Sequence, residues 1–126
     1  MTTDWIKICK TSDILPFSGV AALVAGRQVA LFRVKSEFFA LSGYDPFSGA
    51  YVLSRGIVGD RAGVLKVASP IYKHSFNLRT GECLDDPKVK LPTYPLQVVD
   101  DTIYLSVPEE VMTAKVSATD LQPSVN

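Results

Sequence analysis

The chain has 126 residues, 47% of them hydrophobic, with 13 basic side chains against 13 acidic ones and two cysteines. That length and hydrophobic fraction predict one domain able to bury roughly two-thirds of its unfolded surface, and they exclude global disorder. A net charge of zero argues against nucleic acid, the longest apolar run (residues 20–25) is too short to span a bilayer, and no secretory signal pattern opens the chain, so the expectation is a cytoplasmic protein with free thiols and no membrane partner.

In chain order, Trp5-Ile6-Lys7-Ile8-Cys9 alternates as a half-buried strand, with Trp5, Lys7 and Cys9 on one face and Ile6 and Ile8 on the other. Thr11-Ser12-Asp13 and Pro16 make a connection containing one short turn. Residues 20–24 and 28–34 form a hairpin around Gly26-Arg27, and after Lys35-Ser36-Glu37 a fourth strand covers residues 38–41. Short antiparallel strands at this spacing predict an all-β sandwich or barrel. Tyr51-Val52-Leu53 reads as a short strand. Residues 55–65, punctuated by Gly56, Gly59 and Gly63, read as a loop. Ser75-Phe76-Asn77-Leu78 and Glu82-Cys83-Leu84 flank a hairpin turn in which Gly81 takes the positive φ. Residues 88–95 are extended. Residues 96–99 and 102–107 form a last hairpin that closes the sheet against the early strands. Beyond Pro108 the tail has at most a weak helical face (Val111, Met112, Lys115, Val116).

Charge is unevenly spread. Residues 46–81 carry five bases (Arg55, Arg61, Lys66, Lys73, Arg79) against one acid, Asp60, whereas residues 82–126 carry eight acids against three lysines. A basic middle segment points to an acidic partner surface or an anion, or to charges that mix once the chain folds.

Conventional chemistry finds little to use. His74 and Cys83 are nine residues apart and Cys9 lies at the other end, so no short ligand spacing nucleates a zinc site. The cysteines read as small buried hydrophobes and His74 as a surface residue. Ser69, Ser75, His74 and Asp45 do not amount to a hydrolytic site, because nothing specifies a nucleophile elbow or an oxyanion hole. There is no phosphate loop or dinucleotide fingerprint.

Two loops are more informative. The first is Gly43-Tyr44-Asp45-Pro46-Phe47-Ser48-Gly49-Ala50. The second, residues 68–82, contains Ser69-Pro70-Ile71-Tyr72-Lys73-His74 and ends on Phe76-Asn77-Leu78-Arg79-Thr80-Gly81. Together they resemble the paired cluster-binding loops of a Rieske iron–sulfur domain. There the pattern is Cys-x-His-x-Gly-Ala, then Cys-Pro-x-His and a Phe-x-Leu-x-Thr-Gly hairpin. Here Asp45 and Phe47 stand at the first pair of ligand positions, and Ser69 and Tyr72 at the second. A Rieske centre takes two thiolates and two imidazoles, and a chain with one histidine cannot build it alone.

The match extends through Leu53-Ser54-Arg55-Gly56-Ile57-Val58-Gly59-Asp60 and Leu78-Arg79-Thr80-Gly81-Glu82-Cys83-Leu84. Over residues 4–107 the chain is similar to the small-subunit family of bacterial assimilatory NAD(P)H-dependent nitrite reductases. That resemblance implies an all-β, Rieske-like domain without a cluster, which spans residues 1–108; the tail, 109–126, is not covered by it and reads from its own residues as partly helical or disordered. It implies an accessory subunit of an oxidoreductase, cytoplasmic, with no catalytic residue, metal or cofactor of its own. Its partner would be a large subunit carrying FAD, sirohaem and a [4Fe-4S] cluster, which reduces nitrite to ammonium with six electrons from NAD(P)H. The alternative is a cluster-less accessory or binding module of another redox complex, such as a ring-hydroxylating oxygenase system.

Two expectations follow for the four replaced positions. In one, Phe47 and Tyr72 fill the space of a cluster while Asp45 accepts hydrogen bonds from a nearby hydroxyl or backbone N–H. In the other, Tyr44, Pro46, Phe47 and Tyr72 stand out as a docking patch beside Arg55, Arg61 and Lys73.

Overall fold

The computed structural model describes residues 5–106, so the tail at 109–126, its helical face and the domain boundary at 108 lie outside the described residues. Among the described residues nine strands follow one another: β1 (Trp5–Lys10), β2 (Ser18–Val24), β3 (Arg27–Val34), β4 (Glu37–Ser42), β5 (Ile57–Arg61), β6 (Val64–Ala68), β7 (Ser75–Asn77), β8 (Leu96–Val99) and β9 (Thr102–Ser106). They make three antiparallel sheets of three strands, in the orders β2-β3-β4, β5-β6-β7 and β1-β9-β8.

Strand β3 is the middle of the molecule, and its sequence says why. Val29, Ala30, Leu31 and Phe32 are consecutive, apolar and fully buried. Side chains alternate across a strand, so an unbroken apolar run needs cover on both faces. Ala30, Phe32 and Val34 pack with Leu41, Leu53, Val58, Val67 and Phe76, on the side of β5-β6-β7. Val29 and Leu31 pack with Ile14, Tyr94, Ile103 and Leu105, on the side of β1-β9-β8. Burying a side chain the size of Phe32 or Leu31 contributes about 1.5–3 kcal/mol.

Several expectations shift. The β2–β3 turn sits one residue earlier than Gly26-Arg27: Val24 pairs with Arg27, and Ala25 and Gly26 form the turn at φ 52° and 79°. Cys9 does not stay on the face of Trp5 and Lys7, because a bulge between Lys7 and Cys9 shifts the register, and Cys9 packs with Ile6 and Ile8. Burial then pushes its thiol pKa up, with Asp13 adding to the effect. Residues 51–53 are not a strand. Leu53–Arg55 is a short 3-10 turn whose Leu53 is fully buried, and Leu53 N donates to Gly43 O at 3.2 Å.

Residues 55–65 are not a loop. They hold β5 and the start of β6, joined by Ala62 and Gly63, with Gly63 N donating to Asp60 Oδ1 at 2.9 Å. Gly56 is needed there for space: a Cβ would lie 2.5 Å from Ala68 O. At Gly81, φ is 81° and a Cβ would lie 2.1 Å from Leu91 O. The last hairpin turns on Asp100 and Asp101, and β9 pairs with β1, which joins the two ends of the described chain.

Candidate functional site

Strand β4 runs into residues 43–51 and strand β6 into residues 69–74, and the two loops meet side by side as the tip of the domain, joined by Ser69 to Asp45 and by Phe47 to His74. Asp45 and Ser69 meet between them, both fully buried. Ser69 Oγ donates to Asp45 Oδ2 at 2.5 Å, and Ser48 Oγ donates to the same oxygen at 2.9 Å. Phe47 N donates to Asp45 Oδ1 at 3.0 Å. Burial pushes the Asp45 carboxyl pKa up, but the hydrogen bonds from Ser69, Phe47 and Ser48 together outweigh it and hold the group below the usual carboxylate range. Asp45 is therefore a buried, ionised residue whose charge is met by hydrogen bonds rather than by a base.

The Phe47 ring points inward. It stacks face to face on the His74 imidazole, centroids 3.6 Å apart and planes 4° apart, and tilts against Phe76 at 6.2 Å. Tyr72 takes no part in this filling: it is 61% exposed. His74, expected at the surface, is half-buried in its place. A signal was available, because His74 and Phe76 are two residues apart on the approach to β7 and share a face, and Phe76 is core. Beside them Asp85 accepts from Ser75 N at 2.8 Å and pairs with Arg61 at 3.2 Å. The bond from Ser75 N lowers the Asp85 pKa most; burial opposes it and Arg61 adds to it. Arg61 also donates to Ser75 Oγ at 3.2 Å, so this residue of the expected docking set is engaged within the chain.

Outside, the tip is aromatic and basic. Tyr44 and Tyr51 lie ring against ring at 5.1 Å, and Tyr51, Ile71 and Tyr72 are each more than 40% exposed. Pro46, Arg55 and Lys73 are exposed as well. In residues 43–59 and 66–75 the one acid is Asp45, which is buried, so the charges these two segments show to solvent are positive, with Asp85 beside them paired to Arg61. Tyr51 and Ile71 belong to this surface although sequence reasoning passed over them. Tyr51 reads as part of a short strand in the sequence, and Ile71 stands in the second loop with no pattern that marks it as exposed.

The description that matches this chain is the Rieske-like [2Fe-2S] domain family, over residues 4–106. The nitrite reductase (NADH) small subunit of Salmonella typhimurium is 44% identical over 105 residues, 82% of this chain and 97% of that protein. A crystal structure of an NADH-dependent nitrite reductase small subunit from Mycobacterium tuberculosis superposes with a TM-score of 0.82 at 44% identity, covering 86% of this chain and 98% of that one. Part of a much longer protein also matches: the nitrite reductase [NAD(P)H] large subunit of Klebsiella oxytoca is 36% identical over 101 residues, 80% of this chain but 11% of that protein.

The side chains at the tip do not fit a [2Fe-2S] cluster of this type. The four positions supply a carboxylate, a phenyl ring, a hydroxyl and a phenol, where two thiolates and two imidazoles are required. The carboxylate and hydroxyl are already bonded to each other, and the Phe47–His74 stack occupies the space beside them. Among the described residues, no three of His, Cys, Asp and Glu come together as a metal site. No helix among them is long and apolar enough to cross a membrane.

Proposed function

The chain belongs to the Rieske-like [2Fe-2S] domain family and, within it, to the small subunits of NADH-dependent nitrite reductase, and from that membership we propose how it serves the enzyme. It is the accessory subunit of an oxidoreductase, nitrite reductase [NAD(P)H], and pairs with the large subunit. Identity of 44% along nearly the whole length of a nitrite reductase small subunit carries this reading over an oxygenase-accessory role.

The small subunit works in the cytoplasm and holds no cluster, so it relays no electrons itself. FAD, sirohaem and a [4Fe-4S] cluster reside in the large subunit, which carries six electrons from NAD(P)H to nitrite and releases ammonium. The small subunit acts by docking, which stabilises the large subunit or shapes its electron path. The mismatch of Asp45, Phe47, Ser69 and Tyr72 with a cluster's donor set supports the first point. The exposed aromatic and basic end supports the docking point, since Tyr and Arg are enriched where interfaces concentrate their energy. Tyr44, Pro46, Arg55, Tyr72 and Lys73 form the docking face, joined by Tyr51 and Ile71. Phe47 supports it from within, and Arg61 contributes through its bonds to Asp85 and Ser75.

The test is co-expression with the large subunit, followed by nitrite-dependent NAD(P)H oxidation with and without this chain. Full activity of the large subunit alone, at unchanged stability, refutes the accessory role. Stoichiometric iron with a visible charge-transfer band in the purified small subunit refutes the cluster-less reading.

A further inference from the structure

The two tip loops repeat one backbone pattern. In the first, Asp45 N donates to Ala50 O and Asp45 O accepts from Gly49 N, both at 2.8 Å. In the second, Ser69 N donates to His74 O at 2.9 Å and Ser69 O accepts from Lys73 N at 3.1 Å. Each leading residue is followed by a proline, Pro46 or Pro70. In each loop the fifth residue has a left-handed backbone, φ 73° at Gly49 and 66° at Lys73. In each, the leading side chain accepts from the N–H two residues on: Phe47 N to Asp45 Oδ1 at 3.0 Å, Ile71 N to Ser69 Oγ at 3.3 Å. A side-chain oxygen that captures this N–H fixes a turn. Each loop is thus a small knuckle with an oxygen at its centre.

The knuckles face each other, and their central oxygens bond through Ser69 Oγ and Asp45 Oδ2. Among the described residues this is the one side chain-to-side chain hydrogen bond between the loops, and it lies beside the Phe47–His74 stack. Both partners are fully buried, so water does not compete for the bond.

Resting on the reading that the tip docks, we propose that Asp45 and Ser69 are its positioning residues. They form a metal-free cross-link that holds the loops at one separation, so that Tyr44, Tyr51, Ile71 and Tyr72 meet the large subunit as one preformed surface. The pair takes over the bracing that a cluster bound between two such loops would supply. Without it the loops sample other separations, and apparent affinity falls in proportion to the fraction that stays competent.

The likeness of the two knuckles supplies the decisive variant. Exchanging the partners, Asp45→Ser together with Ser69→Asp, re-forms the bond in the opposite sense, because both positions have the same backbone surroundings. Amide hydrogen exchange across the full chain and affinity for the large subunit are measured for Asp45→Ser, for Ser69→Ala and for the exchanged pair. Each single variant speeds exchange in residues 43–51 and 69–74, leaves β1, β8 and β9 protected, and weakens association about tenfold. The exchanged pair recovers most of both losses, short of the bond from Ser48. Unchanged exchange in both loops of the folded single variants overturns the cross-link. Loosened loops with unchanged affinity overturn the docking reading instead and leave the pair as a loop tie alone. Should Asp45→Ser not fold, Ser69→Ala, which deletes one hydroxyl, carries the same comparison.

Discussion

Replacing Asp45 by alanine tests whether the buried carboxylate, rather than the apolar packing around it, holds this end of the domain together. The change takes the acceptor from Ser69 Oγ, Ser48 Oγ and Phe47 N at once. Ser48 is half-buried and can turn to water, whereas Ser69 has no exposed surface. Each buried donor left without a partner costs about 1–3 kcal/mol, so the expected loss is about 4 kcal/mol. A domain of this size has a stability of about 5–15 kcal/mol, so the variant folds but with a narrow margin. Equilibrium urea unfolding, followed by far-ultraviolet circular dichroism, reads the loss as a midpoint about 2 M lower.

The pH dependence gives the second half of the test. The Asp45 pKa in the folded chain lies below its ordinary value. The carboxylate's contribution is therefore complete above the unfolded value of about 3.9 and is lost as pH falls through the folded value. The stability gap between the wild type and Asp45→Asn should be flat from about pH 7 to 5 and should close below about pH 4. A loss under about 1 kcal/mol in Asp45→Ala, or a gap with no pH dependence down to about pH 3, refutes the reasoning.

Phe47→Ala removes the ring that packs on both His74 and Phe76 and should cost about 2–4 kcal/mol, and His74→Ala about 1 kcal/mol, both read by thermal unfolding. A cost at Tyr72→Ala equal to that at Phe47→Ala would contradict the assignment of the filling ring. Arg55→Glu with Lys73→Glu should slow association with the large subunit, most at low salt, with the difference fading towards about 1 M. A salt-independent effect, or none, would move the docking face elsewhere. Gly81→Ala forces a side chain into positive φ and against the Leu91 carbonyl, so it should cost at least about 2 kcal/mol, or roughly 10 °C in midpoint. A midpoint within about 2 °C of wild type would show that the hairpin yields at no cost.

Strands with one clear pattern were legible in the chain. The β2-β3-β4 meander and the β8–β9 hairpin have runs of β-branched and aromatic residues between turn residues, which local propensity is enough to place. The β5–β6 hairpin was not, because Gly56, Gly59 and Gly63 are turn residues by type. Gly56 and Gly59 instead serve close approach and ladder pairing, which depend on what lies opposite. Leu53 misled for the opposite reason: it is apolar and looks like a strand residue, yet its burial comes from a 3-10 turn reaching under β3.

The same division holds at the tip. Sequence alone determined the family frame, the loss of a two-thiolate, two-imidazole donor set and the surplus of positive charge around the loops, since each follows from residue identity and order. Tertiary structure decided which ring closes the interior: His74 reaches Phe47 and Tyr72 turns to solvent. It also decided that Asp45 finds Ser69, 24 residues away, rather than a base. Partner choice over that distance is set by how β4 and β6 deliver their loops side by side, and no local pattern in the chain encodes that separation.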